Sequence, residues 1–375
     1  MRHVALDAEA IRRVLKEWLS ESPELATLAL VPEAEKDQIP LLQSVCSELA
    51  VQLLGGVFPA LIRDQKFCSE GVWLMRFTHR VPAFLLPAQV GAETIGESVN
   101  ALLKNATTVS TRPTLFLLFD AMLPNIASLL EDLYAKLADR VHYVGANVGS
   151  ETFQSIPCLF NNTEIIADGV LGALLPGDAS TVLVHGYAHP EAMLSATATD
   201  GNRISMIDWR PAFEVYQELI KAQYGVDLTA ENFYQYGVHY PFGILRANLE
   251  VVVRMPVALA EDGSIFCVGE VPENAMLVLL KSPVADESGC IGQLAQRLAA
   301  ENGKLQDRNL LTFYCAGRRM HLGADAELEL QSLKRSSGVA EMAGALSLGE
   351  IGCTQQDGYP MFHNATLVCT PWEHR

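Results

Sequence analysis

One short motif occurs twice in this chain, and its repetition is the feature that most restricts the fold. The copies are Gly145-Ala146-Asn147-Val148-Gly149-Ser150-Glu151 and Gly344-Ala345-Leu346-Ser347-Leu348-Gly349-Glu350. Both begin with Gly-Ala, overlap an apolar run and place a glutamate at the same distance from the first glycine. The repetition predicts a duplicated architecture in which two similar arrangements face a shared cleft.

The first half of the chain contains two stretches that follow one plan of strand, amphipathic helix and strand. The first comprises a strand at Ala26–Val31, a helix at Ile39–Leu54 that ends at Gly55-Gly56, and a strand at Gly71–Phe77. The second comprises a strand at Thr114–Phe119, a helix at Ile126–Ala138 and strands at Val141–Ala146, Gly169–Leu175 and Thr181–Gly186. This similarity supports an internal duplication.

The second half mixes helices and strands without strict alternation. Helices are predicted at Ala212–Tyr224, which ends at Gly225, and at Ile291–Asn302 and Asp325–Ser336. A β-hairpin is predicted within Met255–Glu270, and strands at Leu310–Cys315, Met342–Leu348 and Phe362–Cys369. Because strands cluster in pairs and triplets, we predict an α+β fold: two lobes of mixed β-sheet covered by helices, with internal duplication.

Length and charge restrict the class of protein. A chain of 375 residues is long enough for two domains. The net charge of −17 argues against nucleic acid or an anionic membrane as a partner, because both attract basic surfaces. The segment Met1–Leu19 has the pattern of an amphipathic helix and not of a signal peptide, and the eight cysteines form no CxxC pair. We therefore expect a cytoplasmic protein with reduced thiols.

Familiar cofactor and catalytic motifs do not occur. The sequence has no Walker A motif and no GxGxxG after a strand, and the surroundings of Ser347 miss the spacing of a GxSxG nucleophile elbow. His185 and His189 are four residues apart, but Gly186 and Pro190 favour a turn over a metal-binding helix. We therefore predict no cofactor and no metal site.

The polar residues near Cys315 are candidates for ligand binding. Cys315 ends an apolar strand just before Arg318, whose guanidinium would lower the pKa of a nearby thiol and favour a nucleophilic thiolate. The alternative is a small buried side chain without a chemical role. Arg318 could clamp a carboxylate through two parallel N–H donors, or form a salt bridge with Glu327 or Glu350.

Further candidates lie at the ends of other apolar runs. Glu350 and Glu151 could pair with an ammonium group, or be solvated turn carboxylates. His363 and Asn364 offer donors and acceptors to a ligand, or cap their own turn. Arg254 ends an apolar strand and reaches either the cleft or solvent.

These motifs resemble those of the FIST (F-box and intracellular signal transduction) family. The C-terminal match rests on Cys315-Ala316-Gly317-Arg318, Gly344–Glu350 and His363-Asn364-Ala365-Thr366, which occur in the family's order. Gly145–Glu151 gives a weaker N-terminal match, and the similarity extends from about Ala26 onward. The sequence departs from the family at Asn274, where glycine is usual, and at Ser150.

The amphipathic pattern assigns residues 1–25 to an N-terminal helix, and the resemblance implies a FIST N-terminal domain at 26–195 and a FIST C-terminal domain at 196–375. It implies a non-catalytic sensor of small molecules in signal transduction, with amino acids as the suggested ligands. Arg318 would then hold the carboxylate, and Glu350 or Glu151 the ammonium. Because the chain carries no recognisable output domain, the signalling output protein would be another chain.

Two other functions stay open. A hydrolase or transferase could use Cys315 as a nucleophile or Glu350 as a general base in amide or ester chemistry. A scaffold that docks a signalling partner would require a large exposed apolar patch, which sequence alone does not reveal.

Overall fold

The computed structural model of the chain describes residues 1–87, 89, 91–105, 112–175, 180–188, 192–247, 250–281, 283–285, 289–353 and 358–372. It has the α+β architecture that the sequence predicts, with mixed sheets covered by helices. None of the described helices has both the length and the apolar composition needed to cross a membrane. His189 lies outside the described residues.

Nine α-helices occur within the described residues. They are α1 (Ala8–Glu21), α2 (Ile39–Glu48), α3 (Gly91–Asn105), α4 (Ile126–Leu137), α5 (Ala212–Tyr224), α6 (Phe233–Gly237), α7 (Cys290–Asn302), α8 (Ala316–Leu322) and α9 (Asp325–Ser337). Local signals explain several boundaries. The side chain of Asp7 accepts a hydrogen bond from the Ala10 N–H at the start of α1, and Gly225 ends α5 with a φ of 68°.

The described strands form five sheets. In chain order they are β1 (Arg2–Val4), β2 (Ala26–Pro32), β3 (Gln52–Phe58), β4 (Leu61–Arg63), β5 (Lys66–Cys68), β6 (Val72–Phe77), β7 (Ala83–Pro87), β8 (Thr114–Asp120), β9 (His142–Val148), β10 (Leu159–Asn161), β11 (Ile165–Ile166), β12 (Gly169–Leu175), β13 (Val182–Val184), β14 (Leu194–Ser195), β15 (Ala198–Asp200), β16 (Arg203–Ile207), β17 (Arg210–Pro211), β18 (Phe242–Leu245), β19 (Val251–Arg254), β20 (Pro256–Leu259), β21 (Ile265–Cys267), β22 (Met276–Leu279), β23 (Asn309–Cys315), β24 (Glu341–Ser347), β25 (Glu350–Gly352), β26 (Met361–His363) and β27 (Leu367–Trp372).

The duplication inferred from the motif is in fact threefold. Unit 1 runs from β2 to β6, unit 2 from β8 to β12 and unit 3 from β23 to β27. Each unit has two parallel strands joined through a helical segment, then a short hairpin, then a strand antiparallel to the first. The three units therefore repeat one strand–helix–strand–hairpin–strand plan.

The three units exchange their hairpins in a cycle. The hairpin of unit 2 joins the sheet of unit 1 by pairing β10 with β3. The hairpin of unit 3 joins unit 2 by pairing β25 with β9, and that of unit 1 joins unit 3 by pairing β4 with β24. Each sheet is therefore completed by a different part of the chain.

A glycine occupies the same position in all three units. Gly55, Gly145 and Gly344 are each the fourth residue of the second parallel strand, opposite the fourth residue of the first. A Cβ atom on any of them would approach the opposing main-chain carbonyl oxygen more closely than van der Waals contact allows. The motif glycine is thus required by the close approach of two parallel strands.

The three sheets share one apolar core. Phe58, Phe116 and Phe313 come from different units and are all fully buried. The centroid of the Phe313 ring lies 5.7 Å from that of Phe58 and 6.2 Å from that of Phe116. This aromatic cluster joins the three units at the centre of the molecule.

Residues 194–281, which follow unit 2 and precede unit 3 along the chain, form a separate layer. Two smaller sheets, β14-β22-β18-β19 and β15-β16-β21-β20, pack with α5 around their own core. The predicted boundary between residues 195 and 196 falls at the end of β14. Two of the larger sheets contain strands from both sides of that boundary.

Several predicted elements differ from the structure. The helix predicted at Ile39–Leu54 ends at Glu48, because Ala50 turns the chain with a φ of 55°, and Gly55-Gly56 lie inside β3. The strand predicted at Phe362–Cys369 is divided into β26 and β27 by a turn in which Ala365 has a φ of 55°. The short helix α8 was not predicted.

Candidate functional site

A pocket opens where β23 ends and α8 begins. Its volume is about 400 Å³, the open mouth included. Both halves of the chain line it, because the loop after β9 meets the layer of residues 194–281 and unit 3 at this point. The lining residues are Glu151, Phe153, Tyr234, Val238, Met255, Val257, Val268, Cys315, Ala316, Gly317, Met320, Leu348 and Asn364.

The lining is mainly apolar and has few polar groups. Met255 and Met320 supply long flexible side chains that adapt to different shapes. The side-chain polar groups belong to Glu151, Tyr234, Cys315 and Asn364. An apolar cavity with a few polar groups is typical of sites that bind small organic molecules.

Three of the seven predicted site residues line this pocket, namely Glu151, Cys315 and Asn364. Glu151 is partly exposed, and its carboxylate lies 3.9 Å from the guanidinium of Arg319. The other four predicted residues, Arg254, Arg318, Glu350 and His363, are buried and do not line it.

Glu350 is fully buried beside Cys315, at the start of β25. Its carboxylate accepts hydrogen bonds from the Ser347 hydroxyl at 2.5 Å, from the Thr366 hydroxyl at 2.6 Å and from the Thr366 N–H at 3.3 Å. Burial raises the pKa of Glu350 to about 7, although these hydrogen bonds oppose the shift. Glu350 is therefore an internal carboxyl group, in contrast to Glu151 in the other copy of the motif.

Arg318 is engaged in a buried ion pair. Its Nε and Nη2 donate to the two carboxylate oxygens of Glu329 at 2.8 and 2.6 Å, and its Nη1 donates to the carbonyl oxygen of His185 at 2.6 Å. The Tyr314 hydroxyl also donates to Glu329, at 2.6 Å. The sequence predicted a salt bridge with Glu327 or Glu350 as the alternative to a ligand clamp. The salt bridge is present, but its partner is Glu329.

The guanidinium of Arg318 does not activate the Cys315 thiol, which is buried as in the second of the two sequence-based alternatives. Burial raises the pKa of Cys315, and the nearby charge of Glu350 raises it further. The guanidinium of Arg318 is directed to Glu329 instead. At neutral pH, Cys315 is therefore a protonated thiol on the pocket wall.

Arg254 binds main-chain carbonyl groups. Its Nε donates to the carbonyl of Glu270 at 2.8 Å, and its Nη1 donates to those of Val253 and Phe362 at 3.0 and 2.9 Å. The guanidinium also lies 5.6 Å from the centre of the Phe362 ring. Burial lowers the pKa of Arg254 to about 10. This arginine holds β19 to β26 and reaches neither the pocket nor solvent.

His363 and Asn364 have different environments. His363 is fully buried, and neither ring nitrogen has a hydrogen-bond partner among the described residues. Burial lowers its pKa well below the ordinary value, so the ring is neutral. The Asn364 side chain accepts a hydrogen bond from the Met255 N–H at 3.3 Å and donates to the His363 carbonyl at 3.1 Å. Asn364 therefore connects its own segment to the main chain at Met255 and also lines the pocket.

Sequence reasoning missed some residues of the site. Tyr234 lies on α6, which is too short to produce a helical pattern. Met255 and Met320 were not selected, because isolated methionines carry no motif signal. Asn147, within the repeated motif, does not line the pocket. It is fully buried, with no described partner for its side-chain amide.

Comparisons with known proteins agree with the motifs. The FIST N domain model matches residues 26–210, and the FIST C domain model matches residues 212–353. A comparison with curated proteins gave no match. Asn274, where the resemblance led us to expect glycine, has a φ of 61°, a conformation that glycine adopts readily. On the matches to both of its domains, the chain belongs to the FIST family.

Proposed function

We propose that this protein is a sensor that binds a small molecule in the pocket between β23, α6 and the loop after β9. The observation that carries the proposal is the mainly apolar lining, contributed by both halves of the chain, with one carboxylate at Glu151. The association of FIST domains with signal transduction and small-molecule sensing supports it.

The lining favours a ligand with an apolar body and an amino group. The carboxylate of Glu151 would pair with the ammonium, and the methionines and aromatic rings would contact the apolar part. If the ligand is an apolar amino acid, its carboxylate would be held by Arg319, because Arg318 is paired with Glu329. Arg319 is outside the lining itself, but its guanidinium lies 3.9 Å from the carboxylate of Glu151 at the pocket. The proposed ligand-binding residues are therefore Glu151, Tyr234, Cys315, Asn364 and Arg319.

A thermal-shift experiment tests the proposal. Leucine, methionine and phenylalanine are compared with the corresponding amines without the carboxylate and with the acids without the amine. A ligand that binds only the folded protein stabilises it, by about 2.7 kcal/mol at a hundred times its Kd. We expect melting-temperature increases for the compounds that carry an amine.

Matched variants locate the site. Glu151→Gln should abolish the increase, whereas Glu97→Gln, at an exposed position on α3, should leave it unchanged. Arg319→Gln should weaken binding of the amino acids and leave binding of the simple amines intact. An unchanged response in Glu151→Gln would refute the assignment of the site.

One observation favours a catalytic alternative, a hydrolase or transferase in amide or ester chemistry. The Cys315 thiol lines the pocket with the Glu350 carboxyl group nearby, and a carboxyl group whose pKa is about 7 could act as its general base. In such an enzyme, an alkylating reagent should modify Cys315 at a rate that rises as the pH passes through 7. This pH dependence should be lost in Glu350→Gln. The sensor proposal predicts slow alkylation at neutral pH, because the pKa of the thiol is raised.

The output of the sensor is proposed to be another protein chain. Arg318 joins α8, which lines the pocket, to the carbonyl groups of His185 and Ala365 in other segments. A ligand that displaces α8 would therefore also displace these segments. This link would carry the occupancy of the pocket to the protein surface.

A further inference from the structure

Trp209 lies at the tip of a tight hairpin and is 76% exposed. β16 and β17 pair Ile207 with Arg210, which leaves Asp208 and Trp209 as the two turn residues. Both have a positive φ, 49° and 61°. Turns of this type favour asparagine and glycine, because a large side chain is strained in this conformation. The hairpin therefore holds a tryptophan in solvent at a conformational cost.

Three exposed methionines accompany Trp209. Met193, Met206 and Met276 are 56%, 41% and 44% exposed. With Trp209 they constitute what we call the Trp209 patch. The four side chains together expose roughly 400–500 Å² of apolar surface, which is in the range of functional patches on soluble proteins.

Main-chain hydrogen bonds bring these residues together around β14. The Asp208 N–H donates to the Ser195 carbonyl at 2.9 Å, and Ser195 pairs with Met276. The Trp209 N–H donates to the Thr197 hydroxyl at 2.9 Å, and the Thr197 N–H donates to the Met206 carbonyl at 3.0 Å. Met193 immediately precedes β14. These bonds place all four residues of the patch around residues 193–197.

The charged residues beside the patch are acidic on balance. Arg210 donates two hydrogen bonds to Glu218, at 2.8 and 2.5 Å, so its charge is compensated. Asp208 and Glu273 are exposed. Glu273 is next to Asn274, whose N–H donates to the Ala196 carbonyl at 2.7 Å. The patch thus combines apolar side chains with negative charge.

We propose that the Trp209 patch docks a segment of another protein that presents apolar side chains flanked by lysine or arginine. Tryptophan is enriched among the few residues that contribute most of the binding energy of an interface. Methionine side chains are flexible and adapt to varied partners. The exposed area is about half of the ~800 Å² that each partner buries in a stable interface, so the contact is transient. The chain's charge of −17 disfavours a second copy as the occupant.

The intrinsic fluorescence of the full chain provides the test. Of the four tryptophans, Trp18, Trp73 and Trp372 are at most 5% exposed, so acrylamide quenching reports on Trp209. The protein is titrated with a synthetic amphipathic helical peptide of leucine and lysine, and with a matched peptide of leucine and glutamate. We expect the lysine peptide alone to protect Trp209 and shift its emission to the blue, less so in high salt.

Two variants separate the apolar and charged contributions. In Trp209→Gly, glycine readily adopts the positive φ at this position, so the fold should be retained. This variant should bind a labelled lysine peptide at least tenfold more weakly. Asp208→Asn combined with Glu273→Gln removes only charge, and should reduce the salt dependence. Unchanged affinity in Trp209→Gly, equal protection by both peptides, or protection that rises with protein concentration without peptide would each overturn the proposal. The last result would indicate self-association.

Discussion

At the scale of single residues, the pocket depends on side chains that never contact solvent. Arg318 and Glu329 are fully buried and joined by two parallel hydrogen bonds, and Tyr314 occupies a further acceptor position on the carboxylate. Such a pair contributes little net stability when complete, but removing one partner leaves an isolated charge in the interior. The pair therefore fixes α8 in one position against β23.

The first prediction concerns this ion pair. Arg318→Ala should lower the free energy of unfolding by about 3–5 kcal/mol, because the carboxylate of Glu329 would be left buried without its partner. Urea denaturation measures the change. Arg319→Ala is the matched control, since the exposed pair of Arg319 with Glu151 should contribute less than about 1 kcal/mol. Wild-type stability in Arg318→Ala would refute the role assigned to its buried ion pair with Glu329.

The second prediction concerns the pH dependence contributed by Glu350. The pKa of Glu350 is about 7 in the folded protein and 4.5 in an unperturbed glutamate. The folded protein therefore binds this proton more tightly, so its stabilisation is complete below pH 4.5 and is lost as the pH rises through 7. The loss amounts to roughly 3 kcal/mol.

Melting temperatures from pH 5 to pH 8 check this expectation. Wild-type protein should lose more stability over this range than Glu350→Gln, which cannot ionise. Groups distant from Glu350 titrate equally in both proteins and cancel in the comparison. Parallel curves for the two proteins would contradict the raised pKa.

At the scale of secondary-structure elements, each repeated unit depends on one glycine in its second parallel strand. The third prediction is that Gly344→Ala prevents folding, because the new methyl group would overlap the carbonyl oxygen of Thr312, a main-chain atom that cannot move away. Gly145→Ala should be similarly damaging, because its new methyl group would overlap the carbonyl oxygen of Leu117.

Gly292→Ala is the matched control for these substitutions. Gly292 is exposed on α7, and a Cβ atom there would meet nothing within 4 Å. Alanine should stabilise that helix by about 0.5–1 kcal/mol. Circular dichroism and the yield of folded protein distinguish the variants. A normally folded Gly344→Ala protein would refute the role assigned to the motif glycine.

Sequence patterns located elements well where the local signals were complete. Helix α5 matches its predicted bounds, since an apolar stripe and Gly225 define it. The prediction at Gly55-Gly56 was wrong, because glycine has two common roles. It can end a helix by adopting a positive φ, but in β3 the missing side chain allows the neighbouring strand to approach closely. That difference depends on the neighbouring strand, which a local pattern does not contain.

The sequence predicted the location of the site but not the burial or the partners of its residues. The motifs indicated the region of Cys315, Asn364 and Glu151, and these residues do line one pocket. They did not indicate which side of the strand each polar group faces. Arg318 and Glu329 are eleven residues apart and on different helices, so their pairing depends on how α8 and α9 pack. Burial and partners are tertiary properties and required the structure.

At the scale of the whole molecule, the cyclic exchange of hairpins makes the three units interdependent. Unit 2 lacks part of its sheet without β25 and β26, and unit 3 lacks part of its sheet without β4 and β5. The shared core at Phe58, Phe116 and Phe313 adds contacts across the units. The pocket is formed by the same assembly, so binding and folding are coupled.

The last prediction follows from this interdependence. Residues 1–195 and 196–375, expressed separately, should each lack a cooperative thermal transition, because each would expose unpaired strand edges and its own part of the aromatic core. Co-expressed fragments should associate and regain one transition, since the exchanged hairpins need no covalent connection between them. Calorimetry and hydrogen exchange measure both properties, with the intact chain as the reference. A fragment of residues 1–195 that melts cooperatively by itself would show that units 1 and 2 fold without the third, and that the hairpin exchange is dispensable for stability.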